Sequence, residues 1–320
     1  MGADSQAIAG WTGPGPFKIE NNYLEGAGEN VMFGGADPTV PQLVPADIEV
    51  LRNHMAKPLR WKADDPSYEG TAWAVKNLFE LKNARRVLVD GNLFEYNWPH
   101  AQNGFALLFT PRNQDGGAPW SVVEDVTFAN NVVRHVAAGV NILGRDDIHS
   151  SQQTRRIAFH NNLFFDVGGK WGKGRLFQLL DGTSGVTIDH NTAIHTESII
   201  FGGDRAPHTN FVFQNNIVVN NQYGMMASGT GTGRPTLDRY FPSAVVRRNV
   251  IIGGSAADYP PDNFFPSSLE AVGFVGPRGM NFRLAPASTF KRASTDRRDL
   301  GADFDAMQSL VATPQPAASR

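Results

Sequence analysis

Residues 126–133 read Val-Thr-Phe-Ala-Asn-Asn-Val-Val, and this stretch decides the fold. Apolar residues alternate with spacers at period two, the pattern of a half-buried strand: Val126 and Phe128 point inward, Thr127 outward. A pair of Asn then bends the chain before a second apolar run. Asn tolerates a left-handed backbone better than other non-glycine residues, and its short amide bonds locally. The same phrase recurs as IENNYL from Ile19, IEVLRNHM from Ile48 and VLVDGNLF from Val87. It returns as IAFHNNLF from Ile157, VTIDHNTAI from Val186, FVFQNNIVV from Phe211 and VVRRNVII from Val245. The last Asn of each copy is Asn22, Asn53, Asn92, Asn131, Asn162, Asn191, Asn216 and Asn249, at gaps of 31, 39, 39, 31, 29, 25 and 33 residues. Self-similarity at this scale marks a repeat architecture. These Asn residues read as structural, their amides stacking from one repeat to the next as a ladder.

A second element precedes each copy: Gly-Phe-Ala-Leu-Leu-Phe from Gly104, Gly-Val-Asn-Ile-Leu from Gly139 and Gly-Met-Met-Ala from Gly224. Leu176–Leu180 and Ser198–Phe201 hold the equivalent places. With the strands before and after the Asn, this makes three strands per repeat. The expected fold is all-β: a right-handed parallel β-helix, a three-sheet solenoid of about eight coils. At about 4.8 Å per coil its length is roughly 35–40 Å. The helix is expected to occupy residues 1–285, with a proline-bearing excursion at about 36–70. A closing segment, 286–320, should hold a short capping helix from Ala302 to Val311 and then a disordered Pro/Ala tail. Ala7–Trp11 already reads as a strand with no polar cap before it, so further coils are expected upstream.

Composition sets the outer limits. The chain has 320 residues, an apolar share of 41% and a formal net charge of -2. That balance argues against a general nucleic-acid binder, which would carry a basic face. Cysteine is absent, excluding disulfides, zinc–thiolate sites and cysteine nucleophiles. No apolar run is long enough to span a membrane. The first residues carry no basic segment and no apolar stretch of signal-peptide length, leaving either a cytoplasmic protein or an export signal outside this sequence. Oligomeric state is open, with a monomer as the expectation. Phosphate-loop, dinucleotide, HExxH and GxSxG signatures are missing.

The uneven gaps are informative, because most of the surplus follows the Gly-led strand: 110–121, 144–154, 202–210 and 228–243. Insertions gathered on one face of a solenoid build its binding face. On the outward side of that strand, Ala106, Asn141 and Gln178 are expected to form one column, whose amides suit sugar hydroxyls. Charged residues crowd the adjoining loops. Arg112, Asn113 and Gln114 follow one strand, Arg145, Asp146, Asp147 and His149 the next, Asp181 the next, and Asp204, Arg205 and His208 the last. Lys173 and Arg175 approach from the other side, with Lys170.

Arg112, Asp146, Asp147, His149, Asp181 and Asp204 are the candidate catalytic residues. Asn113, Gln114, Asn141, Gln178, Lys173, Arg175, Arg205 and His208 are the candidate substrate contacts. Such acids could hold a calcium ion, which in turn would hold an acidic polysaccharide. Two of them could serve as a glycosidase acid and base. A lowered-pKa Arg or Lys could instead abstract a proton in elimination. His54, His160 and His190 sit beside ladder Asn residues and read as turn histidines. His190 and His195, five apart across a turn, do not read as a shared metal site. Trp98, Trp120 and Trp171 could stack on sugar rings or pack beneath their own loops.

The repeated Asn turns and Gly-led strands resemble the right-handed parallel β-helix proteins of the pectate lyase-like superfamily, from about Phe17 to Gly254. FRLAPASTF and DLGADFDA near the C-terminus are similar to the closing segment of bacterial secreted members. More narrowly, NNYLEGAGENVMFGGADP, TPRNQDGGAPWS and PSSLEAVGF resemble an uncharacterised secreted β-helix family of soil bacteria such as acidobacteria. The resemblance implies secretion or a cell-surface location and a polysaccharide partner, with lyase activity favoured over hydrolase. A non-catalytic carbohydrate-binding, adhesive or structural module is the alternative. Of the polygalacturonase motifs only the dipeptide Asp146-Asp147 is met. Ile188-Asp189-His190 matches part of a pectate lyase motif, with Thr187 where that motif has Trp. The Asp-Pro-His-Glu signature of mannuronan epimerases is missing.

Overall fold

The computed structural model describes residues 3–203 and 205–307. The chain is an all-β solenoid of three parallel sheets, each with eight strands. The first sheet holds Ile8–Gly10, Glu29–Phe33, Asn77–Leu81, Phe105–Phe109, Ala138–Leu143, Phe177–Leu180, Ile200–Gly203 and Met225–Ala227. The second holds Phe17–Glu20, Ala46–Leu51, Ala84–Asp90, Val123–Ala129, Arg155–His160, Ser184–Asp189, Val212–Gln214 and Val245–Arg247. The third runs from Tyr23–Glu25 through His54–Ala56, Leu93–Asn97, Val132–Val136, Leu163–Val167, Thr192–His195 and Ile217–Val219 to Val250–Ile252. Every strand of these three sheets pairs with its equivalent one coil away, so each coil covers the apolar edge of the last, while Phe274–Gly276 and Asn281–Leu284 form a separate antiparallel pair.

The interior follows from the period-two pattern. Phe79, Phe109, Phe128, Phe159 and Phe177 point inward and touch in sequence, with ring centroids 5.3–6.5 Å apart. Each such fully buried ring contributes about 2 kcal/mol of hydrophobic stabilisation. At the corner between the second and third sheets the Asn amides form an unbroken ladder. Each Nδ2 donates to the Oδ1 of the next coil's Asn at 2.9–3.2 Å, from Asn22 to Asn249. The ladder runs one rung beyond the sequence reading, ending on Asn263. The left-handed bend lies one residue earlier than expected. Asn21, Arg52, Gly91, Asn130, Asn161, His190, Asn215 and Arg248 take the positive φ, and the ladder Asn takes the hydrogen bonds.

The three outer faces differ. The second sheet's face is the barest, with Leu88 and Val245 exposed. The third is buried by the C-terminal segment, which doubles back along the solenoid. Val272, Leu284, Phe290 and Leu300 cover Ile217, Val250 and Ile252, while Phe282, Phe304 and Met307 cover Leu93, Val132 and Leu163. Among the described residues closure comes from this strap; of the expected helix Ala302–Val311, residues 302–307 are loop and turn, and 308–311 and the tail lie outside the described residues. The α-helix among the described residues is Arg234–Tyr240, inside the last insertion. The early excursion is two loops, 34–45 and 57–76. Among the described residues no helix is long and apolar enough to cross a membrane.

Candidate functional site

The first sheet presents its outward side chains between two rows of loops. Register places Met32, Glu80, Leu108, Asn141, Gln178, Phe201 and Met226 in one outward column. Ala106 is not in it; Leu108 stands in its place. The error came from aligning the glycines. Gly104 turns the chain just before its strand with φ +86, whereas Gly139 lies inside its strand, where a Cβ would meet the Leu176 carbonyl at 2.4 Å.

The upper half of the column carries a continuous polar chain. Gln178 Nε2 donates to Asn141 Oδ1 at 2.9 Å, and Arg175 Nη1 donates to Gln178 Oε1. Arg175 Nη2 donates to Glu197 Oε1 at 3.1 Å, and its guanidinium lies 4.0 Å from the centroid of the Phe201 ring. Asn141, Arg175, Gln178, Glu197 and Phe201 are all half-buried. An Arg held on two edges and one face has little rotamer freedom left to lose on binding a ligand. Glu197 was not singled out in the sequence, since one Glu in HTESII carries no motif.

Most of the proposed loop residues brace the loops themselves. Asp146 has a fully buried side chain; its carboxylate accepts from Arg112 Nη1 at 2.7 Å, Asn113 N at 2.7 Å and Ile148 N at 2.9 Å. Arg112 also reaches Asp147 at 2.5 Å, and this bond holds the half-exposed Asp147 below its ordinary pKa. Asn113 is buried, donating to the Ser150 carbonyl and accepting from Ala118 N. The backbone of Gln114, Asp115 and Gly117 donates to the carboxylate of Asp37, a residue that no motif or repeat position marks. His149, Gln114 and Lys173 are exposed. Asp181 pairs with Arg205 at 3.7 Å, and the charge of Arg205 also reaches Asp147. His208 is buried, stacked on Phe241 with its Nδ1 accepting from Thr183 N at 3.0 Å, and burial pushes its pKa down to about 4. Asp204 lies outside the described residues.

Three carboxylates of these loops do not meet at one point, so the calcium arrangement finds no convergent acid set among the described residues. The one such group of His, Cys, Asp or Glu there is His160, Asp189 and His190, at a different corner. His195 is fully enclosed, its pKa lowered to about 4 by burial. The tryptophans support their loops. Trp98 and Trp171 are buried, Trp171 Nε1 donates to Asp166 at 2.7 Å, and Trp120 Nε1 donates to the Leu43 carbonyl at 3.0 Å.

The lower half of the column holds a buried charge cluster that the sequence did not reveal. Glu80 is buried and accepts from Asn77 Nδ2 at 3.0 Å, with Lys82 Nζ 3.6 Å away. Burial above all pushes Glu80 up to about 7. Glu29 takes Gln6 Nε2 at 2.8 Å and faces Lys76 at 3.5 Å. Below them the buried Lys57 donates to the carbonyls of Gly26, Ala27 and Gly28. These residues tie the first coils together, and they are too enclosed to receive a polymer. No protein-family model matches the chain, and no curated protein matches it either.

Proposed function

We propose that this chain binds an acidic polysaccharide along the upper half of the first sheet. The observation that carries the reading is the half-buried chain Asn141–Gln178–Arg175–Glu197 over Phe201, set between the insertion loops. The amides offer both donors and acceptors to sugar hydroxyls, and the positioned guanidinium suits a uronate carboxylate. Glu197 orients Arg175 in this scheme. Affinity with the pectate lyase-like superfamily and secretion belong to the same reading, which rests on the fold and on the residues quoted for it.

Between the two cleavage chemistries, elimination suits this groove better. Hydrolysis needs two carboxylates flanking the bond, and the polar chain contains one, already bonded to Arg175. The commitment of Asp146 and Asn113 to loop bracing favours a second reading, a module that binds without cleaving. Titration calorimetry with polygalacturonate, alginate and neutral xylan separates these possibilities. Binding should be confined to the uronates and fall at least tenfold in Arg175→Ala and Gln178→Ala, with wild-type circular dichroism retained. New ultraviolet absorbance from unsaturated uronate would identify the lyase; binding without it would identify the module. No binding to any of the three polymers would overturn the proposal.

A further inference from the structure

The corner formed by His160, Asp189 and His190 has no part in the groove. His160 ends the strand Arg155–His160, Asp189 ends Ser184–Asp189, and the two are register partners on neighbouring coils. His190 follows in the left-handed position with φ 52, which turns its ring back toward the pair. A repeat unit thus superimposes FHNN on IDHN, bringing together side chains that are 29 and 30 residues apart in sequence. One ligand atom from each of the three lies within 4.8 Å of the others. His190 Nδ1 stands 2.8 Å from Asp189 Oδ1, and His160 Nδ1 stands 4.0 Å from Asp189 Oδ2. The second separation is too long for a hydrogen bond. It is near the spacing of about 3.3–3.5 Å that two ligands of a tetrahedral zinc ion adopt with bonds of roughly 2.0–2.2 Å.

Two further features point to a ligand. His190 is buried, and its Nε2 makes no hydrogen bond. The nearest carboxylate oxygen to that nitrogen, Asp296 Oδ1 at 3.4 Å, comes from the C-terminal strap. Asp189 is itself held by Asn215 Nδ2 at 2.8 Å, and Asn215 also donates to Thr295 Oγ1 of the strap at 2.9 Å. An outer layer that orients a ligating carboxylate is what metal sites require. His160 is about one-third exposed, so its ring can rotate the short distance needed to close the set. Arg298 is nearby but bonded to Asp296, which offsets its charge.

We infer that His160, Asp189 and His190, the last through Nδ1, form a site for a zinc-type divalent cation, with Asp296 of the strap placed to accept the other ring N–H of His190. Two imidazoles and a carboxylate suit zinc and its neighbours, and not the all-oxygen preference of calcium or magnesium. Such an ion would fasten the strap to the fifth and sixth coils, stabilising the folded state by mass action.

The test uses the whole chain, stripped with chelator and then given zinc, calcium or magnesium. Zinc alone should raise the melting temperature and remain at one ion per chain after desalting, as measured by elemental analysis. Both effects should disappear in His160→Ala, whose side chain is partly exposed and makes no hydrogen bond within 3.5 Å in the network above. They should persist in His149→Ala, an exposed histidine elsewhere. Asp189→Asn, read by retained metal in samples whose circular dichroism matches wild type, gives a second loss. No retained zinc, or equal retention in His160→Ala and wild type, would refute the site.

Discussion

At the scale of the residue, one corner of each coil divides two tasks between neighbours. The ladder Asn makes hydrogen bonds in both directions, and the residue before it takes the left-handed backbone. Asn162 shows the cost of losing the first task. Its Oδ1 accepts from both the backbone N and Nδ2 of Asn131, and its Nδ2 donates to Asn191 Oδ1 and the Phe128 carbonyl. Asn162→Ala leaves a buried N–H of Asn131 without an acceptor and should cost about 2–4 kcal/mol, measured as a shift in the guanidinium midpoint. Arg52 illustrates the second task, with φ 52 and an exposed side chain. Arg52→Gly should change stability by no more than about 1 kcal/mol, because glycine relieves the backbone strain while loosening the unfolded chain. Equal losses in the two variants would contradict this division. The sequence could announce the ladder because Asn recurs there. It could not say which residue bends, because Arg, His and Gly all occupy the bending position.

At the scale of the element, the insertion loops are built as interlocking braces. Asp37 in the loop 34–45 receives the backbone N–H groups of Gln114, Asp115 and Gly117, at 2.6–3.0 Å, from a loop two coils up. Asp146, one coil further, clamps the other end of that same loop through Asn113 N and Arg112. Asp37→Ala should free residues 114–117 with little effect on the strands. Faster amide exchange and proteolytic nicking confined to that tip would show it; unchanged protection would count against the brace. Period-two alternation made the strands legible, and the gaps between Asn positions located the loops. The register of the outer column was less legible, because Gly104 serves a turn while Gly139 serves a close backbone approach. Asn141, Gln178 and Arg175 were found because they flank a recognisable strand. Glu197 and Asp37 were not, since their roles come from loops meeting across coils, a relation no local pattern encodes.

At the scale of the whole molecule, stability against pH reflects groups that the stacked coils bury. His195 and His208 are held neutral, with folded pKa values lowered to about 4 from 6.5. Their contribution is present above 6.5 and is lost as pH falls toward about 4, because the unfolded chain binds those protons first. Glu80 acts in the opposite direction. Its folded pKa is raised from 4.5 to about 7, chiefly by burial. The folded chain therefore keeps a proton that the unfolded chain has released, so this contribution is complete below 4.5 and lost as pH climbs through 7. Glu80→Gln keeps the size and the neutral form while removing the titration. At pH 5 the variant and wild type should have nearly the same guanidinium midpoint. At pH 8 the wild type alone buries a charged carboxylate, and the variant should be the more stable by up to about 3 kcal/mol, the order expected for a shift of some two and a half pKa units. The ion pair with Lys82, 3.6 Å away, opposes the rise, and the value of about 7 already includes it. A difference between the two proteins that stays constant from pH 5 to pH 8 would mean that Glu80 titrates alike in both states, and that the first coils hold it as a charged member of its cluster.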